Sequence, residues 1–255
     1  GEAILRGWRA SSDSKSFQLE GTTHSTESAA ETAKSLGVPC GTDNQALVAS
    51  SEVILLCVKP HHVQAAVEGF ASKLTKNHLL ISVAASITVE QLAQWSAGRC
   101  PVVRAMPNTP CLIGQGMTVL SQGPAANKSH LATAEKIFGT VGKTAVVEDS
   151  LMDGVTGLSG CGPAYIYLII EALSEAGVKV GLPRKTATLL AAQTLAGSAL
   201  MVLDRGEHPA ALKDEVTTPA GCTIDGLMAL EEGKLRVTLI KAVLAAAKRS
   251  KTLRS

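Results

Sequence analysis

The feature that most constrains this chain is a change of rhythm near Asp149. Before it, short apolar runs alternate with helical patterns. Ser51–Lys59 (SEVILLCVK) and His78–Ala85 (HLLISVAA) are apolar blocks between polar ends, the signature of buried strands. Val102–Met106, Met117–Leu120 and Thr144–Glu148 are shorter strand candidates. Between them, Ser25–Leu36 is rich in Ala and Glu, with Ser25 or Thr26 available as a cap. His62–Leu74 carries apolar residues at helical spacing, and Thr88–Ser96 opens T-V-E-Q, close to a capping box. Such alternation predicts an α/β domain of parallel strands with helices on both faces. After Asp149, Gly162–Ala176, Pro183–Asp204, Pro209–Asp214 and Lys234–Lys251 all read as helices, punctuated by Gly and Pro. The boundary is expected at 148/149, with 1–148 the α/β domain and 149–255 an all-helical one.

Gly162–Ala176 is apolar nearly all round (PAYIYLIIEAL), and such a helix must be covered on every side. A helical domain this small cannot cover it alone, so self-association through these helices is expected. Hydrophobic residues make up 45% of the chain and aromatic ones 3%, so the cores are built from Ala, Val, Leu and Ile. A net charge of +2 without a basic run argues against nucleic acid as a partner, because phosphate binding needs clustered Lys and Arg. The six cysteines form no C-x-x-C pair, which fits reduced thiols in a reducing compartment, expected to be the cytoplasm. No signal peptide is read, and no apolar run long enough to span a bilayer, so no membrane partner is expected. The six histidines lie at no metal-ligand spacing, and no metal is expected. No G-x-S-x-G elbow supports hydrolase chemistry.

Several segments have the chemistry of a site, each with an ordinary alternative. Strand 51–59 runs out into Val58-Lys59-Pro60, and ligands in parallel α/β sheets lie beyond the carboxyl ends of strands. Lys59 there meets a cofactor phosphate or is a solvated strand end. Strand 79–85 ends in Ala84-Ala85-Ser86, small residues that admit a ligand or pack tightly on the next helix. Met106-Pro107-Asn108-Thr109-Pro110 makes a rigid polar loop after a strand, a wall for a flat ring or an ordinary turn.

In Lys213–Ile224 (KDEVTTPAGCTI), threonines and Pro-Ala-Gly lead into a helix that begins near Thr223. A helix start offers free N–H groups to a carboxylate. The alternative is a simple cap by Thr217, Thr218 or Thr223. In Val155–Tyr165 (VTGLSGCGPAY), glycines 157, 160 and 162 suit close approach of two helices. No clear strand precedes them, so a nucleotide loop is rejected. Cys161 has no cationic neighbour in sequence to activate it.

Taken together and in order, Val58-Lys59-Pro60, Val83-Ala84-Ala85, Met106–Pro110, Val155–Tyr165 and Lys213–Ile224 resemble the pyrroline-5-carboxylate reductase family. The resemblance runs from about Gly1 to the last helix. It implies an N-terminal Rossmann-type domain for the dinucleotide and a C-terminal helical domain for dimerisation and substrate binding. It further implies dimers assembled into decamers, and reduction of 1-pyrroline-5-carboxylate to L-proline, the last step of proline biosynthesis. NADPH is the implied cofactor, with NADH as the alternate.

Carried over residue by residue, Asn44 matches a contact to the adenosine end of the cofactor. Val58, Lys59 and Pro60 match the strand end beside the dinucleotide. Ala85 matches a small residue near the pyrophosphate–nicotinamide stretch, and Pro107 and Asn108 flank the nicotinamide. Thr218, Gly221, Cys222 and Thr223 match the substrate loop, with Thr223 implied as the catalytic hydroxyl near the imine nitrogen. After a probable strand at Phe17–Gly21, Thr22, Thr23, His24 and Ser25 suit a 2′-phosphate, while Glu20 suits a ribose hydroxyl.

The sequence departs from the family pattern in places. It has Pro219-Ala220-Gly221-Cys222-Thr223 where P-G-G-[TA]-T is usual, and a methyl at Ala220 matters if that position needs positive φ. Cys161 stands where serine is usual. The chain opens Gly1-Glu2-Ala3-Ile4, at the last glycine of the family's G-x-G-x-M-[AG]-E-A-I fingerprint. The first strand and phosphate-cradling loop of that pattern precede this point, and a truncated sequence is the expected reason, a short paralogue the alternative. Two rivals follow: a related imine reductase, or a paralogue with a degraded cofactor site that acts only as an oligomerisation protein. A β-hydroxyacid dehydrogenase relative would carry a lysine where Gly157–Tyr165 has none.

Overall fold

The computed structural model describes residues 1–12 and 15–253. Asp13, Ser14, Arg254 and Ser255, which fall within the expected domain ranges, lie outside them. The chain divides into two compact units: one of Gly1–Cys161 with the C-terminal stretch from Ala245, the other of Gly162–Leu244.

The first unit opens with α1 (Glu2–Ala10), β1 (Gly21–Thr22), α2 (Thr26–Leu36), β2 (Cys40–Gly41) and α3 (Asn44–Ser50). It continues with β3 (Val53–Leu56), α4 (Pro60–Phe70), β4 (Leu79–Ser82), α5 (Val89–Trp95) and β5 (Val102–Met106). Then come β6 (Gly116–Gln122), α6 (Lys128–Gly139), β7 (Gly142–Val146) and the short α7 (Met152–Val155). The strands form a two-stranded parallel sheet, β1-β2, and a five-stranded sheet in the order β3-β4-β5-β6-β7. The expected strand at Phe17–Gly21 pairs only from Gly21 onward.

Helices cover both faces of the larger sheet. Leu80 and Val102 point to a core shared with Val63 and Val67 of α4 and Leu92 of α5. Their strand neighbours Leu79, Ile81 and Val103 point the other way, to Ile4 of α1 and Phe138 of α6. This is the period-2 alternation of a strand buried on both sides. Thr88 caps α5: its side chain accepts from the Gln91 amide at 3.2 Å, and Gln91 Oε1 accepts from the Thr88 amide at 3.0 Å. The capping box read from T-V-E-Q is present.

One expectation needs correction. The sheet is not wholly parallel, because β6 runs antiparallel to β5, with Ala105 opposite Leu120. A parallel return needs a crossover element, and residues 107–115 supply only a 3-10 turn over Thr109–Ile113. With α6 as crossover, β6 and β7 are parallel to each other.

The first compact unit extends to Cys161. Residues 149–161 pack with the sheet: Met152 is fully buried, and buried Arg104 on β5 pairs with Asp149 at 3.0 Å. Residues 156–160 form a π-helical turn, in which the Cys161 amide donates to the Thr156 carbonyl at 2.8 Å. Of the glycines expected at a close approach, Gly160 meets a strand end, where its Cβ would lie 2.6 Å from Met106 Cε, whereas a Cβ on Gly162 would meet nothing within 4 Å.

The second unit holds α8 (Gly162–Lys179), α9 (Arg184–Arg205), α10 (Pro209–Glu215), α11 (Cys222–Glu232) and the first part of α12 (Leu235–Thr252). α8 and α9 approach closely at Gly177, whose Cβ would sit 2.7 Å from that of Ala187. Large apolar side chains remain uncovered, among them Tyr167, Leu168, Leu189, Leu203 and Met228. The buried residues of α8 and α9 are only Ser174, Ala187 and Ala191, and α10 and α11 bury none. Contrary to the sequence reading, α9 is long and apolar enough to cross a membrane by length and composition.

Candidate cofactor edge and substrate loop

β3, β4 and β5 are neighbouring parallel strands, so their carboxyl ends lie along one edge of the sheet. That edge brings together three of the segments singled out in sequence. Leu56 runs out through Cys57 and Val58 to Lys59, the N-cap of α4, with Pro60 at its first turn. Proline suits that position, where its missing N–H costs nothing. Val58 and Lys59 are exposed to solvent. Beside them Ser82 leads to Ala84 and Ala85, and the Val83 amide donates to the Leu56 carbonyl at 3.1 Å, locking the two exits together.

Ser86, next in line, is buried yet has φ 65°. A left-handed, non-glycine residue at a strand exit is a strained position, of the sort that collects at ligand sites. No signal in the sequence marked it. Gly1 caps α1 without a side-chain bond, and a Cβ there would lie 3.1 Å from Cys57 Cβ. The start of α1 thus opens beside the β3 exit, where its free N–H groups and dipole favour an anion.

Asn108, after β5, is more committed than its sequence role implied. Its side-chain oxygen accepts from the Met117 amide at 2.9 Å, and its amide group donates to the Ser159 carbonyl at 3.2 Å. It thereby ties the loop to both β6 and the π-helical turn. Pro107 lies beside it, half-buried. Asn44 sits at the first turn of α3, where its Oδ1 accepts from Thr22 Oγ1 at 2.7 Å. The structure therefore joins Asn44 to the end of β1, at the start of the hydroxyl-rich Thr22–Ser25 run. Ser25 spends its own hydroxyl capping α2.

The second unit presents the other segment. The Gly221 amide donates to the Thr218 carbonyl at 3.0 Å, which closes a turn over Pro219 and Ala220. Ala220 has φ 58°. Proline followed by a positive-φ residue is the pattern of a type II turn, whose third position prefers glycine. The departure noted in the sequence thus falls where a glycine is wanted. Gly221 has no such freedom to lose: a Cβ there would lie 2.5 Å from Thr218 Oγ1 and 3.1 Å from its carbonyl oxygen.

α11 begins at Cys222, with Gly221 as N-cap and no side-chain cap bond. The Thr217 hydroxyl donates backward, to the Lys213 carbonyl at 2.8 Å. The capping alternative is therefore not what the structure adopts, and the amides that open α11 are left for another acceptor. Cys222 is exposed and Thr223 half-buried.

One feature near this loop had no sequence signal. Arg205, at the end of α9, donates to both carboxylate oxygens of Glu215, at 2.9 and 2.7 Å, and through Nε to Glu207 at 2.7 Å. The paired guanidinium holds the Glu215 carboxyl below its usual range. Among the cysteines, all of them free, burial pushes the Cys100 thiol up to about 11. Among the described residues no group of His, Cys, Asp or Glu is arranged to hold a metal.

Residues 149–253 match the family model for pyrroline-5-carboxylate reductase dimerisation, and residues 1–86 match that for coenzyme F420-dependent NADP oxidoreductases. The chain is 44% identical to a pyrroline-5-carboxylate reductase of Arabidopsis thaliana, over 99% of this chain and 91% of the relative. A solved pyrroline-5-carboxylate reductase from Coxiella burnetii superposes with a TM-score of 0.93 at 35% identity, covering 99% of this chain and 94% of that one. The Plasmodium falciparum pyrroline carboxylate reductase, solved with NADP bound, gives a TM-score of 0.84 at 30% identity, covering 100% and 94%.

Proposed function

The chain belongs to the pyrroline-5-carboxylate reductase family, and from that premise we propose that it reduces 1-pyrroline-5-carboxylate to L-proline at the expense of NADPH, with NADH as the alternate reductant. It is an NAD(P)H-dependent oxidoreductase that takes a small-molecule substrate and self-associates. The finer class, action on a CH–NH group, follows from that substrate. The observation that carries the reading is the uncapped start of α11 directly after the Thr218–Gly221 turn.

The residues present fit a dinucleotide along the β3–β5 edge. Asn44 and the Thr22 end of β1 would hold its adenosine end. Val58, Lys59, Pro60 and Ala85 would line its middle, and Pro107 and Asn108 its nicotinamide. The cofactor supplies the hydride. What the chain supplies is position, since a protonated imine already accepts hydride well and reactive geometry is most of the remaining barrier. The Thr218 hydroxyl and the Cys222 amide offer donors to the substrate carboxylate, which the helix start favours, while Gly221, its own amide held by the Thr218 carbonyl, lines the loop without a side chain. Thr223, on the first turn of α11, orients the imine nitrogen. The proton on that nitrogen arrives with the iminium or from solvent.

We assign dinucleotide binding to residues 1–148, and dimerisation with substrate binding to 149–255. The bare apolar faces of α8, α9 and α11 fit coverage by a second copy, with decamers the larger assembly. On that reading α9 is an interface helix and not a membrane span, because a dimerisation model matches the whole region. We place the protein in the cytoplasm, without a nucleic-acid partner.

The test is steady-state NADPH oxidation with pyrroline-5-carboxylate by the purified protein. Saturable turnover in both substrates is expected. No turnover would overturn the assignment.

A further inference from the structure

α10 is a short helix that directly precedes the substrate loop, and it buries no residue of its own. Seven residues are too few to hold a helix in water by propensity, so something outside it must fix its place. Its first turn is capped locally, by His208 Nδ1 accepting from the Ala210 amide at 3.2 Å. Its last residue, Glu215, is held by Arg205 from the end of α9 through two parallel bonds, the fork geometry in which a guanidinium fixes direction as well as distance. Val216 follows, and then Thr217 and the Thr218–Gly221 turn. The Thr217 amide donates to the Asp214 carbonyl at 3.0 Å, so the loop entry moves with the α10 end.

Resting on the substrate reading above, we propose that Arg205 is a positioning residue for the substrate loop, acting through Glu215. The pair closes α9 onto the end of α10 and delivers Thr218–Thr223 in one conformation to the substrate carboxylate. Glu207 also touches Arg205, with an Nη2 to Oε1 distance of 2.6 Å. It lies only two residues along the chain and ties no second element, so it serves as an internal control.

The experiment measures KM for pyrroline-5-carboxylate and for NADPH separately in Arg205→Ala, Glu215→Gln, Glu207→Gln and the exchanged pair Arg205→Glu with Glu215→Arg. Circular dichroism and thermal midpoints check folding, and Glu215→Gln keeps side-chain size if Arg205→Ala folds poorly. The expected result is a rise of about fivefold or more in KM for pyrroline-5-carboxylate in Arg205→Ala and Glu215→Gln, with KM for NADPH unchanged. Glu207→Gln stays near the parent, and the exchanged pair recovers part of the loss. Parent turnover with unchanged substrate KM in both variants would overturn this inference alone, as would an equal effect from Glu207→Gln. No turnover by the parent would overturn the substrate reading, and the inference with it.

Discussion

The amide of Gly221 donates to the carbonyl of Thr218 at 3.0 Å, and the turn so closed holds Ala220 at φ 58°. An L-residue with a side chain pays about 1 kcal/mol for that conformation. Ala220→Gly is therefore expected to stabilise the protein by roughly that amount, with substrate KM equal or lower. Chemical denaturation with an unchanged m-value measures it. A destabilised Ala220→Gly protein would show that the turn is not the one described.

Thr223 lies on the first turn of α11, half-buried, one residue beyond the uncapped helix start. Thr223→Ala is expected to lower kcat by about a hundredfold, the low end for a group that handles or orients a proton, while NADPH binding is unchanged. Fluorescence titration of NADPH beside turnover separates the two. Equal loss of both would refute the role assigned to the hydroxyl.

Asn108 spends both ends of its amide on the scaffold, at 2.9 Å to the Met117 amide and 3.2 Å to the Ser159 carbonyl. Asn108→Ala is expected to cost about 2 kcal/mol, at about 1 kcal/mol for each bond lost, and to raise KM for NADPH. Thermal unfolding and cofactor titration test it. An unchanged midpoint would mean that those bonds carry no weight in solution.

The cysteines differ in reach. Cys57 and Cys222 are exposed, while Cys100 and Cys111 are buried, and burial raises the Cys100 thiol to about 11. At pH near 8, a thiol-specific reagent is expected to label Cys57 and Cys222 first and to leave Cys100 until the protein unfolds. Because Cys57 directly precedes Val58–Pro60, NADPH should slow its labelling. L-proline should slow that of Cys222. Labelling indifferent to both ligands would remove the cofactor edge and the loop from their assigned places.

Most of the elements were legible because their signals are local. The apolar blocks around Val53–Leu56 and Leu79–Ser82 are bounded by polar residues, and T-V-E-Q states its own cap. The direction of β6 was not legible from strand-like composition alone, although the lack of a helix between Met106 and Gly116 was the available clue. The site was legible as segments and not as contacts. Nothing in Pro107-Asn108 says that the amide will be shared between Met117 and Ser159. Nothing around Ser86 announces a positive φ. Ala220 is the converse case, since a proline before it and a glycine after it mark a turn, and the turn's geometry turned the missing glycine into a specific strain. The Arg205–Glu215 pair joins residues too far apart in sequence for helical spacing to reveal it.

The most direct test of the central claim follows the product. Purified protein, NADPH and pyrroline-5-carboxylate are incubated together, and L-proline is quantified by chromatography alongside the NADPH consumed. Equimolar proline and oxidised NADPH, saturating in both substrates, is the predicted result. NADPH oxidation without proline, or no oxidation at all, would contradict it.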